Sequence, residues 1–343
     1  MKLVERIFLI AGAALFVWLL HRIGLDSIRD NLARVGWGFA ILIAFQGAIL
    51  ALDTLGWRFT LESGSRTDSF RSMFGMRLAG DAINYLTPTA AIGGEIVRYR
   101  LLSRTHPPAA AVGSVALLVI NQFFSQVLFV LAGAPFVYLA LGHRALQWGG
   151  ALVSLALLLA LLVGGLVFLG RRGDGLRRLR GLLHRFLVPT PPRPPATPPQ
   201  IGEGPWEGSD PWQQVDDNVF GAYRRRPGDM FLSTFCFLLG WSVGIAEGAV
   251  ILALLGVHVA WTAIVAIEAL SVLVETALFF VPGKIGTQEG GKYFIFLSLG
   301  LDPATGFSFG LTRRVRELAW AFTGLIVLAV LQRENGGKAS SRT

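Results

Sequence analysis

The stretches DAINYLTPTAAIGGEIVR at 81–98 and ETALFFVPGKIGTQEGGK at 275–292 are two copies of one pattern. Each has an acid seven residues before a proline, then a glutamate seven residues and a base ten residues after it. The matching positions are Asp81, Pro88, Gly94, Glu95 and Arg98 in the first copy, and Glu275, Pro282, Gly286, Glu289 and Lys292 in the second. Proline and glycine interrupt helices, so the pattern predicts a helix break in each copy. Charges and breaks that recur in apolar surroundings predict a functional site inside a membrane.

Both copies lie in a chain with the composition of a polytopic membrane protein. Of its 343 residues, 53% are hydrophobic and only 15% are charged. A helix needs about 20 apolar residues to cross a bilayer core of about 30 Å. We therefore predict an all-α membrane protein with about six full spans, at 6–21, 37–57, 109–141, 148–170, 229–256 and 304–332. Further apolar runs lie at 260–281 and, more weakly, at 69–86 and 290–301.

The charges between the apolar runs predict the domain organisation and the topology. Residues 171–228 form an Arg/Pro-rich linker, which has ten arginines against six acids between 171 and 226 and is therefore expected to be solvated and cytoplasmic. The linker separates a first membrane half, 1–170, from a second half, 229–332, which a tail at 333–343 follows. Counting the spans from the linker places both termini in the cytoplasm.

The two copies fit this topology best as re-entrant helix pairs. One further crossing within 260–301 would place the basic tail, with Arg333 and Lys338, outside the cytoplasm, against the positive-inside rule. We predict instead that 260–301 enters and leaves by the outer face, and that 69–104 enters and leaves by the inner face. Two broken pairs that enter from opposite faces form an inverted repeat of the kind found in secondary transporters.

The helices that restart after the breaks supply the chemistry of the predicted site. Their N-termini carry free N–H groups and partial positive charge, which hold an anion such as a lipid phosphate. The predicted headgroup-binding residues are Arg98, Lys292, Arg313, Arg314, Gly94 and Gly286. Four acids are predicted to balance these cations or to bind a coupling proton, namely Asp81, Glu95, Glu275 and Glu289.

A second interpretation of the same residues stays open. Glu95 and Arg98 are three residues apart on one helical face, and so are Glu289 and Lys292. Internal ion pairs at these positions would brace the breaks and need no ligand.

Other polar side chains lie within the apolar runs. We interpret as hydrogen-bond contacts between helices those of Asp53, Asn121, Gln122, Ser125, Gln126 and Glu247. The cations Arg313, Arg314 and Arg316 open the last run and must meet acids, an aqueous cavity or headgroups, unless they snorkel to the interface.

The remaining composition argues against several functional classes. The net charge of +9 comes from arginines between apolar runs, which the positive-inside rule explains, so we expect no nucleic-acid partner. The single cysteine and the five scattered histidines predict no metal site, and no cofactor motif is present in the sequence. Glu95 and Glu289 have the chemistry of a general acid and base, but nothing in the sequence requires it, so we expect no enzyme and no catalytic residue.

Four stretches resemble the flippase-like family typified by the lysylphosphatidylglycerol synthase transmembrane region. They are LDTLGWRFTL at 52–61, LTPTAAIGGEIVRYRLL at 86–102, IEALSVLVETALFFVPGKIGTQEGG at 267–291 and LTRRVRE at 311–317. Within the family, the chain is most similar to the branch associated with hopanoid biosynthesis. The resemblance covers nearly the whole chain apart from the proline-rich linker.

The resemblance implies a multi-pass protein of the bacterial inner membrane that moves or presents a lipid between leaflets. It does not imply lysyl-lipid synthesis, because that activity belongs to a soluble C-terminal domain and this chain ends 11 residues after its last apolar segment. We expect a lipid flippase or transporter, with a membrane lipid as its partner and possible substrates that include hopanoids. The alternatives are a non-catalytic scaffold that recruits lipid-modifying enzymes through the linker, and an intramembrane lipid transferase.

Overall fold

The computed structural model describes residues 18, 21, 25–62, 64, 66–86, 92–142, 211–278, 281 and 286–340. These residues contain helices and no strand, which confirms the predicted all-α class. In chain order the helices are α1 (Leu25–Val35), α2 (Gly38–Thr60), α3 (Phe70–Leu86), α4 (Ile92–Leu102), α5 (Pro108–Leu141), α6 (Pro211–Arg225), α7 (Pro227–Leu254), α8 (Trp261–Ala277), α9 (Thr287–Ser298) and α10 (Pro303–Ser340).

Four of the described helices are long and apolar enough to cross a membrane. They are α2, α5, α7 and the first 31 residues of α10, and they correspond to the predicted spans at 37–57, 109–141, 229–256 and 304–332. These helices expose large apolar side chains such as Phe231 and Phe322, which lie 68% and 66% exposed as lipid contacts require. The two other predicted spans fall outside the described residues except at Trp18 and His21, so the total of six stays a prediction.

Separate helices lie on either side of both predicted break positions. The first pair stops at Leu86 and restarts at Ile92, and the second stops at Ala277 and restarts at Thr287. Both prolines of the pattern, Pro88 and Pro282, lie outside the described residues. The restarted helices α4 and α9 have 11 and 12 residues, which is too short to cross a bilayer. Whether each pair returns to the face it came from stays a prediction.

Helices of the first half of the chain pack against helices of the second half. Helix α2 packs along α7, α5 of the first half packs against α8 of the second, and α10 of the second half packs against α3 of the first as well as against α9. Apolar side chains fill these contacts in two clusters, one that includes Trp57, Met73 and Leu118 and one that includes Leu42, Phe296 and Phe309. The reciprocal packing brings the two broken pairs to the same interior.

The predicted linker contains a packed helix near its end. Residues 211–225 form α6, which contacts α5 and buries Val219 and Phe220. The hydroxyl of Tyr223 in α6 also hydrogen bonds to the side-chain oxygen of Asn121 in α5. The expectation of a solvated linker therefore needs correction for this final part, because α6 has apolar residues spaced along one face. The rest of the linker, 171–210, lies outside the described residues.

Candidate functional site

The strongest common feature of the two copies is an ion pair across each helix break. The guanidinium of Arg98 in α4 contacts the carboxylate of Asp81 in α3. In the second copy, Nζ of Lys292 in α9 lies 3.3 Å from Oε1 of Glu275 in α8. Both bases are almost fully buried, at 2% and 1% exposure. In each copy, therefore, a buried base after the break is bound by the acid that precedes it.

The glutamates of the two copies bind different partners. Glu95 pairs with Arg98 in its own helix, as one interpretation of the sequence predicted. Glu289 instead pairs with Arg314 of α10, whose Nη2 lies 3.0 Å from Oε2, and Glu289 has no exposed surface. The alternative that the sequence left open, an internal Glu289–Lys292 pair, is therefore wrong for this copy. The planar guanidinium of Arg314 offers two parallel donors that fit a carboxylate, and this leaves Lys292 to Glu275.

Backbone geometry at the restarts differs between the copies. The N–H of Gly94 donates to Oδ1 of Asn84 at 2.6 Å, and a Cβ at Gly94 would lie 2.2 Å from the carbonyl oxygen of Gly80. Only glycine fits this close approach of α4 to α3. Gly286 precedes α9 with a φ of 74°, a left-handed conformation that favours glycine. A role for either N–H group in holding a headgroup stays a prediction, and at Gly94 the headgroup would have to displace Asn84.

A further buried base, Arg77 in α3, connects the charges around the first break with α2. Nη2 of Arg77 lies 2.9 Å from Oδ2 of Asp53, and its Nε lies 3.0 Å from Oδ2 of Asp81. Arg77 is 3% exposed and sequence reasoning did not single it out. We call the group the first cluster, which consists of Asp53, Arg77, Asp81, Glu95 and Arg98.

The arginines Arg313, Arg314 and Arg316, about three turns into α10, all meet acids. Arg313 forms a bidentate pair with Glu268, with both N–O distances at 2.9 Å, and also lies 3.4 Å from Glu247. Arg316 pairs with Glu247 and lies 3.4 Å from Glu317. The snorkelling alternative is therefore not needed for these side chains. The second cluster consists of Glu247, Glu268, Glu275, Glu289, Lys292, Arg313, Arg314, Arg316 and Glu317.

The structure adds one matched pair of acids that the sequence reasoning treated only as helix contacts. Asp53 in α2 and Glu247 in α7 are 194 residues apart, as are Asp81 and Glu275. The same separation relates the two glutamates and the two bases of the copies. Each of the added acids binds an arginine in its own half of the chain. A search for this fixed separation would have found them.

A polar cavity of about 180 Å³ lies between the two clusters. The first cluster contributes Asp53, and the second contributes Glu247, Glu268, Glu275, Arg313, Arg316 and Glu317. A smaller cavity of about 100 Å³ shares Gln46 and Glu317 with it and is otherwise lined by Asp81, Tyr85 and apolar side chains of α2, α3 and α10. The two cavities are therefore neighbours, one polar and one largely apolar.

The predicted site residues divide into those at a cavity and those behind it. Glu275 and Arg313 line the polar cavity, and Asp81 lines the smaller one. The others lie near the breaks without lining either cavity, namely Arg98, Lys292, Arg314, Gly94, Gly286, Glu95 and Glu289. Among the described residues, no three His, Cys, Asp or Glu side chains are grouped so that they could hold a metal ion. The clusters combine each acid with a nearby base.

An all-helical fold with several apolar spans and charged clusters buried between them defines a polytopic membrane protein. The chain belongs to the family described as the lysylphosphatidylglycerol synthase TM region, whose family model matches residues 6–325. It is also 34% identical over 105 residues to a UPF0104 membrane protein of Methanothermobacter thermautotrophicus. That match covers 30% of this chain and 31% of the relative, so the chain aligns with under a third of that protein. No solved structure matches the chain.

Proposed function

We propose that this protein moves a polar-headed lipid between the two leaflets of a bacterial inner membrane, with a hopanoid as one candidate substrate. The observation that carries the proposal is the polar cavity of about 180 Å³ between helices that are apolar toward lipid. Burying charge in a membrane costs at least about 2.5 kcal/mol per group on insertion scales. A cavity with seven charged side chains in its lining is therefore expected where function requires it.

In the proposed mechanism, the headgroup enters the polar cavity while the apolar tail stays in lipid. Asp53, Glu275 and Arg313 line this cavity and would contact the headgroup directly. The ion pairs behind the cavity hold α4 and α9 in place at the breaks, because unpairing a buried charge is strongly unfavourable. The proposal contains no catalysed reaction and no cofactor.

The proposed topology has six spans and two re-entrant pairs that enter from opposite faces, with both termini in the cytoplasm. The matched acids and bases of the two copies, 194 residues apart, support an internal repeat. So does the reciprocal packing of α5 on α8 and of α10 on α3. Such repeats place substrate sites near the membrane midplane in secondary transporters.

Leaflet exchange in reconstituted vesicles tests the proposal. The purified full-length protein is incorporated into vesicles that contain a fluorescent polar-headed lipid, and a membrane-impermeant quencher reports the outer-leaflet fraction over time. We expect faster exchange than in protein-free vesicles, with Glu95→Gln and Glu289→Gln each slowing it. Exchange at the protein-free rate for every polar-headed lipid tried would overturn the proposal. Unchanged exchange in both variants would remove these glutamates from the mechanism.

A further inference from the structure

The lining of the polar cavity has more acids than bases. Its charged side chains are five carboxylates and two guanidinium groups, those of Asp53, Glu247, Glu268, Glu275, Glu317, Arg313 and Arg316. We infer that the cavity takes an uncharged, polyhydroxylated headgroup, a sugar or polyol, rather than a phosphate. The inference rests on the proposed lipid-transport function and specifies the substrate class at the same site.

Arg77 and Lys292 bind Asp53 and Glu275 from outside the lining, and the five carboxylates still outnumber the four bases, these two and the two arginines of the lining, which argues against an anionic headgroup. Both arginines that line the cavity already bind acids. Arg313 binds Glu268, and Arg316 binds Glu247. A phosphate in the cavity would lie beside these carboxylates in a medium of low dielectric constant, where repulsion between like charges is strong. It would also have to break existing ion pairs to gain a cation.

Three residues of the lining have a buried donor or acceptor atom without a hydrogen-bond partner among the described residues. Oε2 of Glu317 is buried and accepts no hydrogen bond from the described residues. The Nε groups of Arg313 and Arg316, whose side chains are 10% and 6% exposed, have no acceptor there either. Uncharged polar side chains also border the cavity, those of Gln46, Gln122 and Ser271, and they suit a hydroxyl, which both donates and accepts. A phosphate supplies mainly acceptors, and an ammonium supplies only donors.

Aromatic side chains complete the lining on one side. Phe237 and Trp241 of α7 both border the polar cavity. The indole of Trp241 stacks on Phe129 with a centroid distance of 5.7 Å, and its Nε1 donates to Oγ of Ser125 at 3.3 Å. These contacts fix the ring, and as part of the lining it supplies apolar surface for the carbon atoms of a polyol. Ligand sites commonly combine apolar walls with a few placed polar groups in this way.

The sizes of the two cavities suit a headgroup and the start of its tail. A cavity of about 180 Å³ holds several water molecules, which suits one compact headgroup. The neighbouring cavity of about 100 Å³ is bordered by Leu50, Leu78 and Trp320. Glu317 lines both cavities and thus marks the boundary between headgroup and tail.

Lipid binding to the purified full-length protein, measured by native mass spectrometry, tests the inference. The probes are monoglucosyl diacylglycerol, phosphatidylglycerol and phosphatidylethanolamine with the same acyl chains. We expect the glucosyl lipid to bind about tenfold or more tightly than either phospholipid, because only its headgroup supplies donors and acceptors without bringing an ionised group into the cavity. Equal or tighter binding of either phospholipid would overturn the inference.

Variants of the lining locate the binding. Glu317→Gln is expected to weaken binding of the glucosyl lipid by about tenfold, since it removes a charged acceptor. Gln46 also lines both cavities, and Gln46→Leu keeps the side-chain volume there. We expect Gln46→Leu to weaken binding of the glucosyl lipid several-fold. If Glu317→Gln does not fold, Gln46→Leu alone tests where the lipid binds. Asp229→Asn, in an ion pair with Arg66 away from both cavities, is the matched control. Unchanged binding in the folded lining variants would overturn the inference.

Failure of this inference and failure of the proposed function give different results. Leaflet exchange is measured with the same three lipids. Preferred binding of the glucosyl lipid without exchange of any lipid overturns transport and supports the headgroup assignment. Exchange of phosphatidylglycerol together with its equal binding supports transport and overturns the headgroup assignment.

Discussion

In both copies of the repeated pattern, buried charges beside a helix break are paired with opposite charges. The partners lie at different distances along the chain in the two copies. In the first copy, Arg98 binds both Asp81 and Glu95, so that the break is neutralised by residues of α3 and α4. In the second copy, Glu289 depends on Arg314 of α10. Because α10 also packs against α3, the second break is linked through this helix to the first. The first break is thus stabilised by residues of its own helix pair. The second break is stabilised by α10, which contacts one helix of each pair.

This difference predicts that the second break is the more sensitive to loss of a cation. Arg314→Ala would leave the fully buried carboxylate of Glu289 without its partner. We expect a loss of about 3–5 kcal/mol in the free energy of unfolding, as for other broken buried pairs. Thermal unfolding of the purified protein in detergent measures it.

A matched control for this prediction is Arg66→Ala. Arg66 pairs with Asp229, both side chains are 20% exposed, and Arg66 also donates to the carbonyl oxygens of Leu61 and Phe59, so we expect a smaller loss of about 1–2 kcal/mol. Equal losses in the two variants would show that the Arg314–Glu289 pair stabilises the protein no more than the Arg66–Asp229 pair does.

Conservative replacement of the base in the first copy should have a smaller effect. The two terminal nitrogens of Arg98 bind different acids, Asp81 and Glu95. The single ammonium group of a lysine cannot reproduce this forked geometry. For Arg98→Lys we expect a loss of about 1.5–3 kcal/mol, the value of one charged hydrogen bond, in the same unfolding measurement. A stability equal to that of the wild type would contradict the bridging role.

How far the sequence predicts this site depends on the distance over which its contacts act. The break positions and the Glu95–Arg98 pair follow from local spacing, because proline, glycine and helical periodicity act over a few residues. The Arg314–Glu289 pair does not, since it joins two helices whose relative position is set by packing. Periodicity assigns a residue to a helix face but does not identify the neighbouring helix. The sequence therefore predicted where charges are buried better than which charges pair.

The smallest expected effect concerns the linker, which separates the two halves but lies apart from both clusters in sequence. We expect deletion of residues 181–205, which spares the packed helix α6, to leave leaflet exchange within about twofold of the wild type. A scaffold that recruits enzymes through the linker would lose its function in the cell in the same variant. Loss of exchange in vesicles would show that the linker takes part in transport.

The central claim, that lipid passes through the polar cavity, is tested most directly by filling it. Gly244 lines the cavity, and a Cβ added there would meet no atom within 4 Å, so this position accepts the first atom of a side chain and Gly244→Phe adds bulk at the cavity wall. Gly228 in the same helix is equally open but borders neither cavity, so Gly228→Phe is the matched control. We predict that leaflet exchange in vesicles falls by about tenfold or more in Gly244→Phe and stays at the wild-type rate in Gly228→Phe. Wild-type exchange by a folded Gly244→Phe variant would contradict the account.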